Sequence, residues 1–178
     1  MELRPVEKLM LLMLSEIYDA LKINGEVDTA FLREAIFNGH GWAIDWKMSG
    51  IASSEETPKE VVTDVVNALN MYRIMEQSFN ALTEAEREQV EDSFLLKFHG
   101  FDGNNETEHM SVAQMLVHTM GRFTEFAGRD MNSHAPTVDR TRLMHRALQP
   151  LMKELGSRPK PFLTLPEIEQ VLAAGRHA

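Results

Sequence analysis

An all-α, multihelical fold of about 7–9 helices is predicted. Apolar residues recur at three- and four-residue steps along most of the chain. Three Thr-x-x-Glu capping boxes punctuate that pattern. No alternating run is long enough for a useful strand.

Pro5 suits the first turn of a helix reaching about Lys22. Val6, Leu9, Met10, Met13, Leu14, Ile17 and Leu21 share one face, which Leu11, Leu12 and Tyr18 widen. So wide a face predicts a central, buried helix. Asn24-Gly25 stops it, and Asp28 caps a second helix carrying Phe31, Leu32, Ala35 and Ile36. Asn38-Gly39 ends that helix, and a short third holds Trp42, Ile44, Trp46 and Met48. A polar loop is expected over 50–56.

Thr57-Pro58-Lys59-Glu60 reads as a capping box with Pro58 at the first helical position. The long helix behind it runs through Val61, Val65, Leu69, Tyr72, Met75 and Phe79. Its spacing outweighs the strand propensity of the Val61–Val66 cluster. Thr83-x-x-Glu86 opens a helix expected to reach about Phe98, and a longer one carries Met110, Met115, Leu116, Met120 and Phe123. Residues 128–137 are irregular. Thr137 is expected to cap a helix in which Pro150 should cause a kink or a break. Thr164-Leu165-Pro166-Glu167 opens the last helix, with Ile168, Val171 and Leu172. One domain is expected over 1–178, with 137–178 either integral or a docked helical extension.

The totals narrow the function classes. With 178 residues and 43% hydrophobic content the chain can bury an ordinary core. There is no cysteine, which excludes disulfides, thiolate catalysis and Cys-based zinc sites. No segment approaches the roughly 20 apolar residues of a membrane span, and no signal peptide is evident, so a cytoplasmic protein is expected. A net charge of −9 opposes non-specific nucleic-acid binding. The exception is 140–160, where Arg140, Arg142, Arg146, Lys153, Arg158 and Lys160 face a single acidic residue, Glu154. Such a segment more often meets an acidic patch of its own protein than DNA, so nucleic acid is not an expected partner.

The stretch KFHGFDGNNETEHM, from Lys97 to Met110, resembles a ligand loop. Asp102, Asn104 and Glu106 fit calcium-loop positions 1, 3 and 5, but Thr107 stands where glycine is needed and Ala113 where the bidentate Glu is needed. Glu106-x-x-His109 is half of a di-metal bundle motif whose other half would have to come from across a dimer axis. The structural reading is a corner. Gly100 takes a left-handed position closing one helix, with Phe101 touching Leu96. Asp102, Asn104 or Asn105 caps the next helix, and Glu106 and Glu108 meet its positive end. No metal and no cofactor is expected. The remaining candidate for a ligand or enzymatic site joins His40, Asp45, His118 and Arg122, if they converge. A third reading is a nucleic-acid adaptor using Arg140, Arg142 and Arg146.

Several stretches together resemble the YfbU family of bacterial proteins. They are Gly39-His40-Gly41-Trp42, Glu55-Glu56-Thr57, Ala68 to Arg73, Phe98-His99-Gly100-Phe101-Asp102 with Glu106, Gly121-Arg122-Phe123 with Phe126, and Leu163 to Ile168. The match runs from about Leu9 to Ala174, departing at Arg158 to Phe162 and at His40, where an aromatic would be typical. The resemblance implies an all-helical, oligomeric protein without an established enzymatic activity, and it carries over no catalytic residue. The expected partner is a second copy of the chain, with another protein as an alternative. An interaction or regulatory module is therefore expected.

Overall fold

The structure is a computed structural model and describes residues 2–48, 56–91 and 94–176. Of the polar loop expected over 50–56, only Glu56 is among them. The described residues form eight α-helices and no strand. Two compact units divide the chain, Met1–Glu56 and Thr57–Ala178.

In the first unit, α1 (Pro5–Ala20), α2 (Thr29–Phe37) and α3 (Gly41–Lys47) enclose a small core of Leu32, Ala35, Ile36 and Ile44. Leu11 and Leu12 of α1 pack against it. Asp28 caps α2 as expected, accepting from the Phe31 N–H at 3.0 Å. The expected burial of α1 does not hold. Ser15 is its one buried residue, and the seven residues Val6, Leu9, Met10, Met13, Leu14, Ile17 and Leu21 are 51–68% exposed. The reason is geometric. At 3.6 residues per turn, positions 11, 12 and 15 face away from 6, 10, 13 and 17. The core holds one face of α1, and the other is left outside.

The second unit is built on α4 (Lys59–Ala81), whose Val65, Ala68, Leu69, Met71 and Met75 are fully buried. Around it lie α5 (Glu84–Arg87), α6 (Thr107–Gln114), α7 (Val138–Leu155) and α8 (Leu165–Gly175), so the segment from Val138 to Leu172 shares this unit's core. Ser78 is buried on α4 because its Oγ accepts the Leu163 N–H at 2.9 Å. Glu76 holds Arg129 through both oxygens at 2.7 Å and also accepts the Phe98 N–H at 3.1 Å. The Arg129 guanidinium lies 4.8 Å from the centre of the Phe126 ring. One carboxylate thus anchors two irregular segments to the long helix.

Local structure departs from expectation at four places. Pro58, not Thr57, is the N-cap of α4, and no side chain caps it. Thr83 does form its capping box, with Glu86 accepting its N–H at 2.8 Å, but α5 ends at Arg87 instead of near Phe98. Val90, Leu95, Leu96 and Phe98 are all buried, which no single face of a short surface helix could achieve. The helix after Met110 does not reach Phe123. α6 passes into a π turn over Met115–Thr119, and Phe123 takes a left-handed conformation with φ 52°. Pro150 neither breaks α7 nor ends it, since the helix continues to Leu155. Proline cannot donate to the carbonyl of Arg146, four residues back, so that acceptor lacks its helical partner.

Two of the six basic residues at 140–160, Arg142 and Arg158, pair with acids of the same chain. Arg158 donates to both oxygens of Glu167, at 2.9 and 2.7 Å, and to Glu154 at 3.1 Å. Glu167 also closes the α8 capping box by accepting the Thr164 N–H at 2.8 Å. The Arg158 guanidinium, aided by Thr164, lowers the Glu167 carboxyl to about 2. A depressed acid stabilises the fold above its unfolded pKa, and that contribution disappears as pH falls through the folded value. Urea midpoints should therefore fall between about pH 4.5 and 2, and Arg158→Ala should flatten that part of the profile. A variant profile parallel to wild type would show that this pair contributes nothing to acid sensitivity.

Candidate functional site

The polar centre of the larger unit lies between α4 and α7. Asp64, Asn67 and Ala68 project from α4 at helical spacing, and Thr141, Arg142, His145, Arg146 and Gln149 project from α7. Phe101 and Val138 close the floor of a cleft of about 310 Å³. Asp64 Oδ2 accepts from Arg142 at 2.6 and 3.1 Å, with His109 Nε2 3.6 Å away. Burial acts to raise the Asp64 carboxyl, but Arg142, aided by His109, outweighs it and holds the group below its usual range. Arg142 is raised in turn, chiefly by its hydrogen bonds to Asp64. Burial lowers His145, against the opposing charge of Asp64. The imidazole is therefore neutral at pH 7, with one ring N–H to donate.

Of the three arginines expected to form a basic patch, only Arg142 and Arg146 line this cleft. Arg142 also reaches Asp139 at 3.2 Å. Arg140 is half-buried, with Nε unpartnered, beside Tyr72 and close to Gly175. It turns towards α8 because position 140 lies on the core side of α7, next to Thr141 and Met144.

The corner at Lys97–Met110 is built differently from its sequence reading. Gly100 has the expected positive φ, 90°, but it does not close a helix, because residues 94–96 form a turn and 98–100 no regular element. Its role is close approach, since a Cβ there would lie 2.0 Å from the Met131 carbonyl oxygen. Phe101 donates its N–H to Met131 at 2.9 Å and accepts from Ser133 at 3.1 Å, a lone parallel bridge to Asn132. Its ring is 1% exposed and packs edge-on against Phe98, with centroids 5.5 Å apart.

Asp102 turns the chain by accepting the Asn104 N–H at 3.0 Å and by binding the Asn105 side chain, and these bonds lower its carboxyl pKa. Neither Asp102 nor an asparagine caps α6, whose N-cap is Glu106. Glu106 does meet a helix N-terminus, but that of α7. Its Oε1 accepts from Thr137 and Val138 N–H at 2.7 and 2.8 Å, and its Oε2 accepts from the Asp102 N–H at 3.0 Å. Thr137 Oγ1 lies 3.1 Å from both Glu106 Oε2 and the Gly100 carbonyl. Residues 31 positions apart are thus clamped by one carboxylate. Nothing in the spacing at 106 marks that reach, because the donors come from a distant turn.

The other expected site divides between the units. His40 is exposed at the N-cap of α3 and stacks edge-on with Trp42 at 6.0 Å, and Asp45 is half-buried on the same helix. His118 lies in the π turn and Arg122 just beyond it, both exposed. The Arg122 N–H donates to the Leu116 carbonyl at 2.8 Å. His40 and Asp45 thus belong to the smaller unit, and His118 and Arg122 to the larger.

Sequence reasoning missed Asp64, Asn67, His145 and Gln149 as neighbours. The available signal was a polar stripe at 142, 145, 146 and 149 on an otherwise apolar-faced helix.

A multihelical, all-α domain organised around one long helix and a carboxylate-clamped corner is the class that these features define. The chain belongs to the YfbU family, whose YfbU domain matches residues 1–174. None of the helices is long and apolar enough to cross a membrane, among the described residues.

Proposed function

We propose that this YfbU-family chain is a helical interaction module that pairs with a second copy of itself through the outer face of α1. The observation that carries the reading is the row of seven large apolar side chains on α1 and its C-cap, each more than half exposed. Together they present roughly 400 Å² of apolar surface, as large as the biggest patch on a typical monomer. That is about half of what each partner buries in a standard interface. Trp42 and Trp46 of α3 are also exposed on this unit, at 62% and 78%. The reading assigns the chain no catalytic step.

The arrangement of the row favours a second copy over an unrelated partner. A two-fold contact brings one patch against itself, so its apolar positions must map onto one another. Inversion about the midpoint of Met13 and Leu14 carries Val6 to the level of Leu21 and Met10 to that of Ile17, and leaves Leu9 alone without a counterpart in the row, level with Tyr18. The flanking charges fit the same arrangement. In an antiparallel pair Glu7 comes level with Ala20 and Glu16 with Leu11, whereas a parallel pair would set each glutamate beside its own copy.

Light scattering coupled to size exclusion tests this. The wild type should run near twice its 20.3 kDa chain mass, and Met13→Glu should run as a monomer. Because Met13 is 55% exposed, the variant should keep its helical circular dichroism and its stability to within about 0.5 kcal/mol. A wild type that stays monomeric at ~100 μM, where even a micromolar dimer would form, sinks the proposal.

A further inference from the structure

The α4–α7 cleft is independent of the α1 face and has chemistry of its own. Its volume of about 310 Å³ lies at the small end of ligand sites. Ala68 and Phe101 lie beneath it but are only 0–1% exposed, so the surface that a ligand would meet is chiefly polar. Asp64 is neutralised by Arg142 at 2.6 Å, so it leaves no net negative charge in the cleft. Arg146 has no carboxylate partner among the described residues and supplies the cleft's uncompensated positive charge. His145 and Gln149 lie beside it on the same wall and bring further N–H donors.

We infer that this cleft binds a small oxyanion, a carboxylate or a phosphate, with Arg146 as its charge partner. An arginine fork and a flanking imidazole suit planar or tetrahedral oxyanions, which accept two or more hydrogen bonds at once. Asp64 acts as the competitor, since every hydrogen bond it takes from Arg142 is one that a bound anion cannot take.

Titration calorimetry on the whole chain at constant ionic strength, with chloride as the balancing ion, tests the site using benzoate and inorganic phosphate. Binding of either probe with a millimolar or tighter Kd, weakened about tenfold or more by Arg146→Glu, supports the proposal. Stronger binding of benzoate assigns the carboxylate class, and stronger binding of phosphate the phosphoryl class. Asp64→Asn should tighten binding several-fold by releasing Arg142, an effect that a purely structural role would not produce. No heat with either probe at ~20 mM, or binding unchanged in Arg146→Glu, overturns it. Because Arg146 is exposed, that variant should fold, and an unchanged thermal midpoint checks that it has.

Discussion

Gly100→Ala is expected to lower stability by at least ~3 kcal/mol, close to the largest effect a single methyl group can have. Two costs combine. The backbone has φ 90°, which L side chains rarely adopt. The added Cβ would also lie 2.0 Å from the Met131 oxygen and 2.1 Å from its carbonyl carbon. Backbone atoms cannot rotate aside as a side chain would, so relief requires the chain at Met131 to retreat. That retreat breaks the Phe101–Met131 hydrogen bond and loosens Phe101 in the core. For a chain of this length the thermal midpoint should fall by about 10 °C. Gly128→Ala is the control, because it shares a positive φ of 83° but has nothing within 4 Å of the new Cβ. It should lose only about 1–2 kcal/mol. Equal losses in the two variants would mean that the contact with Met131 is unimportant.

Glu106→Ala should come next, at about 3 kcal/mol in urea unfolding. The carboxylate accepts three backbone N–H groups, those of Asp102, Thr137 and Val138, at 2.7–3.0 Å. Two of them belong to the first turn of α7, where donors have no helical partner and an anion is favoured. Alanine strands all three in a partly buried setting. Glu106→Gln separates the contributions, since its carbonyl oxygen can still serve Thr137 and Val138 while its NH₂ cannot accept from Asp102. It should lose roughly half as much. A Glu106→Ala midpoint within about 0.5 kcal/mol of wild type would show that water replaces the carboxylate without penalty.

Most helix starts with a local cause were legible, the Thr57 box being the exception. Asp28, Thr83 and Pro5 mark helix starts through contacts within one turn, and the structure places each as the sequence predicts. Expectations failed where distant groups decide. The reach of Glu106 to α7, the partnering of Arg142 with Asp64 and the inward turn of Arg140 all depend on segments far apart in sequence. Leu95, Leu96 and Phe98 carry a helix-like pattern, yet the segment is non-helical, with the Phe98 N–H bound to Glu76 and all three side chains in the core. α1 is the opposite case. Its pattern is apolar over a wide face, but periodicity marks a face as apolar without saying that the chain's own core covers it.

The bridge at Phe101 and Asn132 also shapes how the larger unit opens. It closes a loop of about thirty residues containing α6, the π turn and the 3₁₀ turn at Thr124–Phe126. At its mouth are two main-chain bonds, together with the Gly103 N–H donated to Asn132 at 3.0 Å. Once such a loop is shut, lengthening it adds little further entropy penalty, so the strength of the mouth governs its opening. The segment between is expected to open as one cooperative unit, its amide protons exchanging together in a hydrogen-exchange experiment instead of fraying singly from each helix end.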